Sequence, residues 1–218
     1  MVSQAEENYL KALFHLTSEI QNKTEAGTNE LAEVLDVTPA TANNMLKKLK
    51  EKELVAYEKY GKITLTQKGR SVAVQTVRKH RLWETFLYEK LNFTWDEVHE
   101  VAEQLEHIQS GKLVEQLEKF LDYPAIDPHG DPIPGAKGEI KSVKRKTLVE
   151  VEVGQTCKLI AVKDNSSSFL QYIVRLGLGL SSKIKIVNRQ EFDGSMEIEV
   201  DKVRSSISKK VAQNLFVV

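Results

Sequence analysis

The sequence predicts a multidomain chain in three parts. An α-helical N-terminal winged helix-turn-helix comes first, a further helical segment follows, and a small all-β barrel closes the chain. Three observations carry this. Two short helical patterns, in "TNELAEVLDV" and "TPATANNMLKKLKEK", meet at a tight turn and run straight into an alternating hairpin pattern. Apolar residues then recur at helical spacing as far as Leu121. Beyond Asp122 to Gly138, which carries four of the five prolines, the apolar period shortens to that of strands.

Each element has its own local reason. Tyr9, Leu10, Leu13, Phe14 and Leu16 keep one face of a first helix apolar. Thr28 has the chemistry of a helix cap, with Leu31, Ala32 and Leu35 as the stripe behind it. Asp36 to Thr38 make a turn, after which Thr38 caps a second helix with Pro39 at the first position, where proline is tolerated. Ala42, Met45, Leu46 and Leu49 face inward on it, leaving Thr41, Asn43, Asn44, Lys47 and Lys48 outward. "LVAYEKYGKITLTQKG" alternates, turns at Tyr60-Gly61-Lys62 and returns as the wing. Gln67 to Leu91 reads as one long helix, with Val72, Val74, Val77, Leu82, Phe86, Leu87 and Leu91 apolar. Trp95 to His107 and Lys112 to Leu121 read as two more. After a basic linker near Lys141 to Lys146 come strands at "CKLIAVK", "KIKIVNR", "SMEIEVD" and "NLFVV", with a helix at Ser167 to Leu176. The expected domains are residues 1–70, 71–138 and 147–218.

The 31 basic and 31 acidic residues cancel overall but not locally. Residues 1–37 hold 2 basic and 7 acidic, residues 38–81 hold 11 and 3, residues 82–135 hold 3 and 12, and residues 136–218 hold 15 and 9. A local excess of positive charge suits a polyanion, and the acidic segment after it suits bound cations. The single cysteine, Cys157, excludes an internal disulfide and reads as a small buried hydrophobe. The first residues lack the pattern of a signal peptide, and no apolar run approaches the roughly 20 residues that span a bilayer, so a cytoplasmic protein is expected. Trp83 and Trp95 read as core or interface aromatics. With no glycine-rich phosphate loop, nucleophile elbow or Ser/His/Asp order, an enzyme is not expected.

Two constellations carry chemistry. On the second helix of the pair, Thr38, Pro39, Ala40, Thr41, Asn43 and Asn44 stand where a helix enters a groove of double-stranded DNA. Asparagine suits adenine, and Lys47, Lys48, Lys59 and Lys62 suit phosphates. The alternative is a solvated helical hairpin used for protein contact. The other constellation is acidic and imidazole-rich. Glu103, Glu106 and His107 share one helix face with His99 and Glu100 just before them, while His80 and Glu84 stand at i, i+4. Asp127, His129 and Asp131 sit in a loop. Carboxylate and imidazole without thiolate suit Mn(II), Fe(II) or Zn(II), against the alternative of a solvated surface.

Together "ENYLKALFHL", the winged helix, "RKHRLWE", "VHEVAEQLEH" and "HGDPIPG" resemble the diphtheria toxin repressor family of metal-dependent transcriptional repressors, including its manganese-responsive branch. The resemblance implies a winged helix, a helical metal-binding and dimerisation region and an SH3-like barrel, in a homodimer that binds palindromic operator DNA when loaded with Mn(II) or Fe(II), at one or two sites per subunit. It implies a primary site of Asn8, Glu103, Glu106 and His107, with Asn8 an amide where members often have Asp or Met. Glu103 matches the manganese branch, whereas the iron branch has Cys there. It implies ancillary ligands at His80 and Glu84, in the iron branch also at His99, and in the streptococcal type at Asp127, His129 and Asp164. Where the manganese branch has a second acid on the first helix, this chain has Lys11, which argues against a close two-metal cluster. The expected function is a metal-activated repressor of metal homeostasis, responsive to Mn(II) first and Fe(II) second. The competing expectations are a metal-independent winged-helix regulator and a metal-storage or delivery protein.

Overall fold

A computed structural model describes residues 2–17, 23–57, 62–140 and 145–218. The chain folds into two compact units. One comprises Met1–His80, Leu105–Ser110 and Pro134–Ile140, and the other Arg81–Gln104, Gly111–Ile133 and Lys141–Val218.

In the first unit, α1 (Gln4–Leu16) begins at a reciprocal cap. Glu6 Oε2 accepts from the Ser3 N–H at 2.8 Å, and Ser3 Oγ accepts from the Glu6 N–H at 3.4 Å. Its apolar face, with Leu10 and Leu13 fully buried, packs among Leu31, Leu46, Leu49, Leu54 and Ile63. α2 (Thr28–Val34) starts one residue earlier than the sequence suggests. Gly27 is the cap, because Glu30 reaches back to its N–H at 3.3 Å, and Thr28 is the first helical residue. α3 (Pro39–Glu51) is capped by Thr38 as expected. Ala42, Leu46 and Leu49 are its buried stripe, while Met45 is only half-buried. Removing a leucine such as Leu46 to alanine from this core costs about 2–5 kcal/mol. The wing strands β1 (Val55–Tyr57) and β2 (Ile63–Leu65) pair antiparallel, and Ala26 bridges to Ile63 as a third edge. The wing turn at Tyr60-Gly61 lies outside the described residues. Gly69 is required where α4 (Gln67–Leu91) meets the wing, since a Cβ there would stand 1.9 Å from the Leu54 carbonyl oxygen.

α4 gives its first half to one unit and its second half to the other. Asn92 turns left-handed at φ +58° just past its end. Leu91, one of the helix's apolar positions, is 50 % exposed. The next helix is shorter than its apolar pattern, with α5 at Val98–Leu105. Thr94 to Glu97 instead form a capped turn in which the Thr94 N–H donates to Glu97 Oε2 at 2.8 Å. α6 covers Gly111–Phe120.

The C-terminal part is antiparallel throughout. β3 (Lys146–Thr147), β4 (Thr156–Val162), β5 (Lys183–Arg189), β6 (Met196–Val200), β7 (Val203–Ile207) and β8 (Leu215–Val217) stand in the order β3-β8-β4-β5-β6-β7. Alternate residues Leu159, Ile184, Ile186, Met196 and Ile198 point inward, where α7 (Ser167–Arg175) adds Leu170 and Ile173. Register shifts at Leu159/Ala161 and Ile186/Asn188 bend the strands of this six-stranded sheet. A short α8 (Lys209–Ala212) precedes β8. Cys157 is buried, as are Trp83 and Trp95.

Candidate metal centres and nucleic-acid interface

In the first unit, α1 turns polar groups inward beside its leucines. Glu7 and Lys11 are buried, one helical turn apart, with Asn8 beside them. Lys79 and His80 come from α4, and Glu106 and His107 follow the end of α5. The Lys11 ammonium donates to Glu106 Oε2 at 2.6 Å and stands 3.2 Å from His80 Nδ1. That same Glu106 oxygen is 2.6 Å from His80 Nδ1. On the other side, Glu7 Oε2 is 2.6 Å from His107 Nδ1, and Gln109 donates to Glu7 Oε1 at 2.8 Å. Lys79 lies 3.7 Å from that carboxylate. An ionised carboxylate only accepts, so Glu7 draws the proton to Nδ1 and leaves the Nε2 lone pair of His107 available, 3.8 Å from Glu106 Oε1.

Asn8 Oδ1 on α1 and Glu106 Oε1 after α5 are each buried without a hydrogen bond. A buried acceptor without a partner is costly unless a ligand satisfies it. An amide oxygen, a carboxylate oxygen and an imidazole nitrogen are a fitting donor set for a borderline-to-hard divalent cation.

The second unit builds its cluster from α4, α5 and a loop. Glu84 is buried on α4. His99 on α5 puts Nδ1 3.2 Å from Glu84 Oε1 and Nε2 3.5 Å from Glu103 Oε1. Residues 127–131, "DPHGD", close on themselves because Asp127 Oδ1 accepts from the N–H groups of His129 at 2.8 Å and Asp131 at 2.9 Å. Gly130 sits at φ +87°, and a Cβ there would lie 1.9 Å from the Ile160 carbonyl oxygen, so the tight loop needs glycine. Arg81 holds the loop from outside, at 3.4 Å to both Asp127 and Asp131, and donates to the Pro132 carbonyl at 2.6 Å. Arg145 adds a contact to Asp131 at 3.1 Å.

Glu84, Asp127 and His129 thereby bring one ligand atom each within 4.8 Å of one another, all three buried. His129 Nε2 donates to the Trp95 carbonyl at 3.1 Å, and the two rings stack. A carbonyl can only accept, so in the neutral imidazole the lone pair lies on Nδ1. That atom is buried, makes no hydrogen bond, and is 3.5 Å from Glu84 Oε2. Burial above all, then Glu84 and Asp131, push the Asp127 carboxyl up to about 7, against the pull of Arg81. Burial opposes charge on His129, but Glu84 and then Asp127 outweigh it and raise the imidazole above its ordinary value. A site that strains to hold its negative charge suits a cation.

The remaining sequence candidates are placed as follows. Glu103 lies on α5 in the second unit, half-buried beside His99. Asp164 does not join the Glu84 group, and its Oδ1 accepts from the Ser166 N–H at 2.9 Å. Sequence reasoning passed over Glu7 and gave Lys11 no part beyond displacing an acid.

On α3 the outward ridge is exposed at Thr38, Pro39, Ala40, Thr41, Asn44, Lys47 and Lys48. Thr38 and Thr41 bond each other through their hydroxyls at 2.9 Å. Asn43 is committed locally: its amide donates to the Pro39 carbonyl at 2.8 Å, and its Oδ1 accepts from the Tyr57 hydroxyl. It braces the helix against the wing, leaving Asn44 as the exposed asparagine. Lys62 pairs with Glu25. Lys59 lies outside the described residues.

These features define a winged-helix protein with two carboxylate–imidazole clusters and a C-terminal antiparallel β domain. The model described as "Iron dependent repressor, N-terminal DNA binding domain" matches residues 1–63, and that of the "metal binding and dimerisation domain" matches residues 66–135. The FeoA domain matches residues 146–218. A solved structure of a "Manganese-dependent transcriptional repressor complex with manganese" is 35% identical, covers 98% of this chain and 99% of its own, and has a TM-score of 0.86. The "HTH-type transcriptional regulator MntR" of Bacillus velezensis is 29% identical over 67% of this chain and 96% of its own length. The "Iron-dependent repressor IdeR" of Mycobacterium tuberculosis strain H37Rv is 33% identical over 59% of this chain, and the match spans 55% of that protein, about half its length. The chain belongs to the diphtheria toxin repressor family.

Proposed function

We propose that this chain is a metal-activated DNA-binding transcriptional repressor of metal homeostasis rather than an enzyme, with Mn(II) as preferred effector and Fe(II) second. The observation that carries the reading is the pair of orphaned oxygens, Asn8 Oδ1 and Glu106 Oε1, in the unit that also holds the winged helix. We assign Asn8, Glu106 and His107 to the primary site. We assign Glu84, Asp127 and His129 to the ancillary site, with His99 beside Glu84 as a further candidate. A divalent ion would supply a cross-link between α1 and the Leu105–Ser110 segment, nearly 100 residues apart in sequence. α1 is packed by Leu10 and Leu13 into the core that carries α3, so a constraint on α1 reaches the DNA-reading helix. An ion that prefers that arrangement shifts the population toward it, and DNA tightens the ion's binding in return.

The functional parts are residues 1–70 for DNA binding, 71–138 for metal and dimerisation, and 147–218 for the SH3-like barrel. A homodimer is supported by the exposed Tyr88, Leu91, Phe120 and Tyr123, apolar residues on helical segments of the second unit and beside them. Among the described residues no helix is long and apolar enough to cross a membrane, in keeping with cytoplasmic work on DNA. Asn44 reads a base, and Lys47 and Lys48 meet phosphates. The second reading, a metal-independent winged-helix regulator, draws on the pairing of Glu106 with Lys11, which gives that carboxylate a counter-charge from the protein itself. Titration of Mn(II) and Fe(II) into an operator-binding assay decides between them, since affinity that ignores both ions favours the second. Asn44→Ala should cost roughly 1–3 kcal/mol on operator and little on random DNA. Equal losses on both would remove Asn44 from direct readout.

A further inference from the structure

The position one turn after Asn8 is held by a cation that belongs to the protein. Lys11 is buried, and its ammonium donates to Glu106 Oε2 at 2.6 Å with His80 Nδ1 3.2 Å away. Glu106 is therefore satisfied on one oxygen and orphaned on the other. A divalent ion on the orphaned oxygen would share one carboxylate with an ammonium in a site closed to water, where like charges repel strongly. Carboxylates Glu7 and Glu106 already face ammoniums Lys79 and Lys11, and Asn8 brings no charge.

We propose that Lys11 is a built-in competitor of the metal ion. Its ammonium holds Glu106 in the metal-free protein and must give up that carboxylate when an ion binds, which sets how much metal the protein needs before it responds. The inference rests on the assignment of Glu106 as a ligand. Lysine suits the task because a compact ammonium on a flexible four-carbon stem can withdraw while its apolar stem stays packed. It differs from a ligand in sign: removing a ligand weakens binding, whereas removing a competitor strengthens it.

The test is calorimetric Mn(II) titration and thermal melting of the full-length protein, with and without Mn(II). Lys11→Met keeps the apolar stem and removes the charge. Mn(II) affinity should rise roughly tenfold or more as the repulsion is lifted. The metal-free melting temperature should fall, because Glu106 loses its counter-charge, so the gain in melting temperature on adding Mn(II) should exceed that of the wild type. Lys11→Arg keeps the charge and should show no such gain. Should Lys11→Met not fold, Lys11→Gln carries the same expectation with a hydrogen bond to Glu106 retained. Unchanged or weaker Mn(II) binding in the uncharged variants, or an equal gain in Lys11→Arg, overturns the proposal. Glu106→Gln separates the two levels. If it leaves Mn(II) binding untouched, the ligand assignment itself fails; if it weakens binding while Lys11→Met gives no gain, only the competitor fails.

Discussion

The two clusters use the same ligand chemistry and balance their charge in different ways. In the first unit the counter-charge on Glu106 is a lysine ammonium, a point charge on a flexible stem. In the second it is the Arg81 guanidinium, whose planar fork contacts two loop carboxylates and the Pro132 carbonyl together. A lysine can withdraw without undoing the fold around it, whereas Arg81 is part of what shapes the loop. The first cluster thus has the makings of a switch, and the second those of a preformed seat whose geometry exists before any ion arrives. Their buried acids accord with this, because Asp127 is held near neutrality by burial and neighbouring carboxylates while Glu106 keeps an ammonium of its own.

The largest expected effect breaks the comparison at the switch. Glu106→Ala should abolish metal-dependent operator binding while gel filtration still shows a folded protein of the wild-type oligomeric state. An operator affinity that follows Mn(II) as in the wild type would put the switch elsewhere. Next in size is Glu7→Gln, which removes the charge that orients His107 but no atom of the ligand set. Outer partners of ligating histidines are typically worth about 10–100-fold in metal affinity. A Mn(II) isotherm identical to the wild type would mean that Glu7 only packs α1.

Glu7 and Lys11 also mark where the sequence stopped being legible. Helix periodicity placed α4 at Gln67–Leu91, and Thr38-Pro39 marked the start of α3, because those signals are local. Glu106 and His107 could be suspected from spacing on one helix face. Glu7 and Lys11 could not: on an amphipathic helix, charged residues beside a leucine stripe read as the solvated face. They are buried because partners 95 and 100 residues away, Glu106 and His107, come to meet them. The one local hint was the triad Glu6, Glu7 and Asn8 beside Lys11, all polar on a short helix with leucines at three positions. β7 escaped for the opposite reason. "VRSSI" is polar in its middle and exposed along most of its length, so it lacks the alternation that revealed β4 to β6.

A smaller effect tests the preformed seat. His129→Ala should remove the buried Nδ1 lone pair and with it the second Mn(II) binding event in calorimetry, leaving the Glu106-dependent event in place. The stacked contact with Trp95 is also lost, so stability should fall by about 1–3 kcal/mol, read from chemical denaturation. Loss of both binding events together would show the clusters to be one coupled site rather than a switch and a seat.

The smallest effect bears on why the switch is set where it is. Asn8 offers a neutral oxygen, orphaned in the buried site, where an aspartate would offer a full negative charge. With Lys11 contributing positive charge and Asn8 none, the proposed primary site would attract divalent ions less than its carboxylate count suggests. Affinity for nitrogen and oxygen ligands rises from Mn(II) to Fe(II), so a low overall affinity leaves selection to geometry, ligand number and availability. Asn8→Asp should therefore tighten Mn(II) and Fe(II) alike, by a few-fold to about tenfold given the short-range charge gained, without changing their order. Combined with Lys11→Met the gains should fall short of adding, because both variants act on the same local charge. Calorimetry showing no gain for Asn8→Asp would mean that Asn8 lies outside the shell, and that another residue completes it.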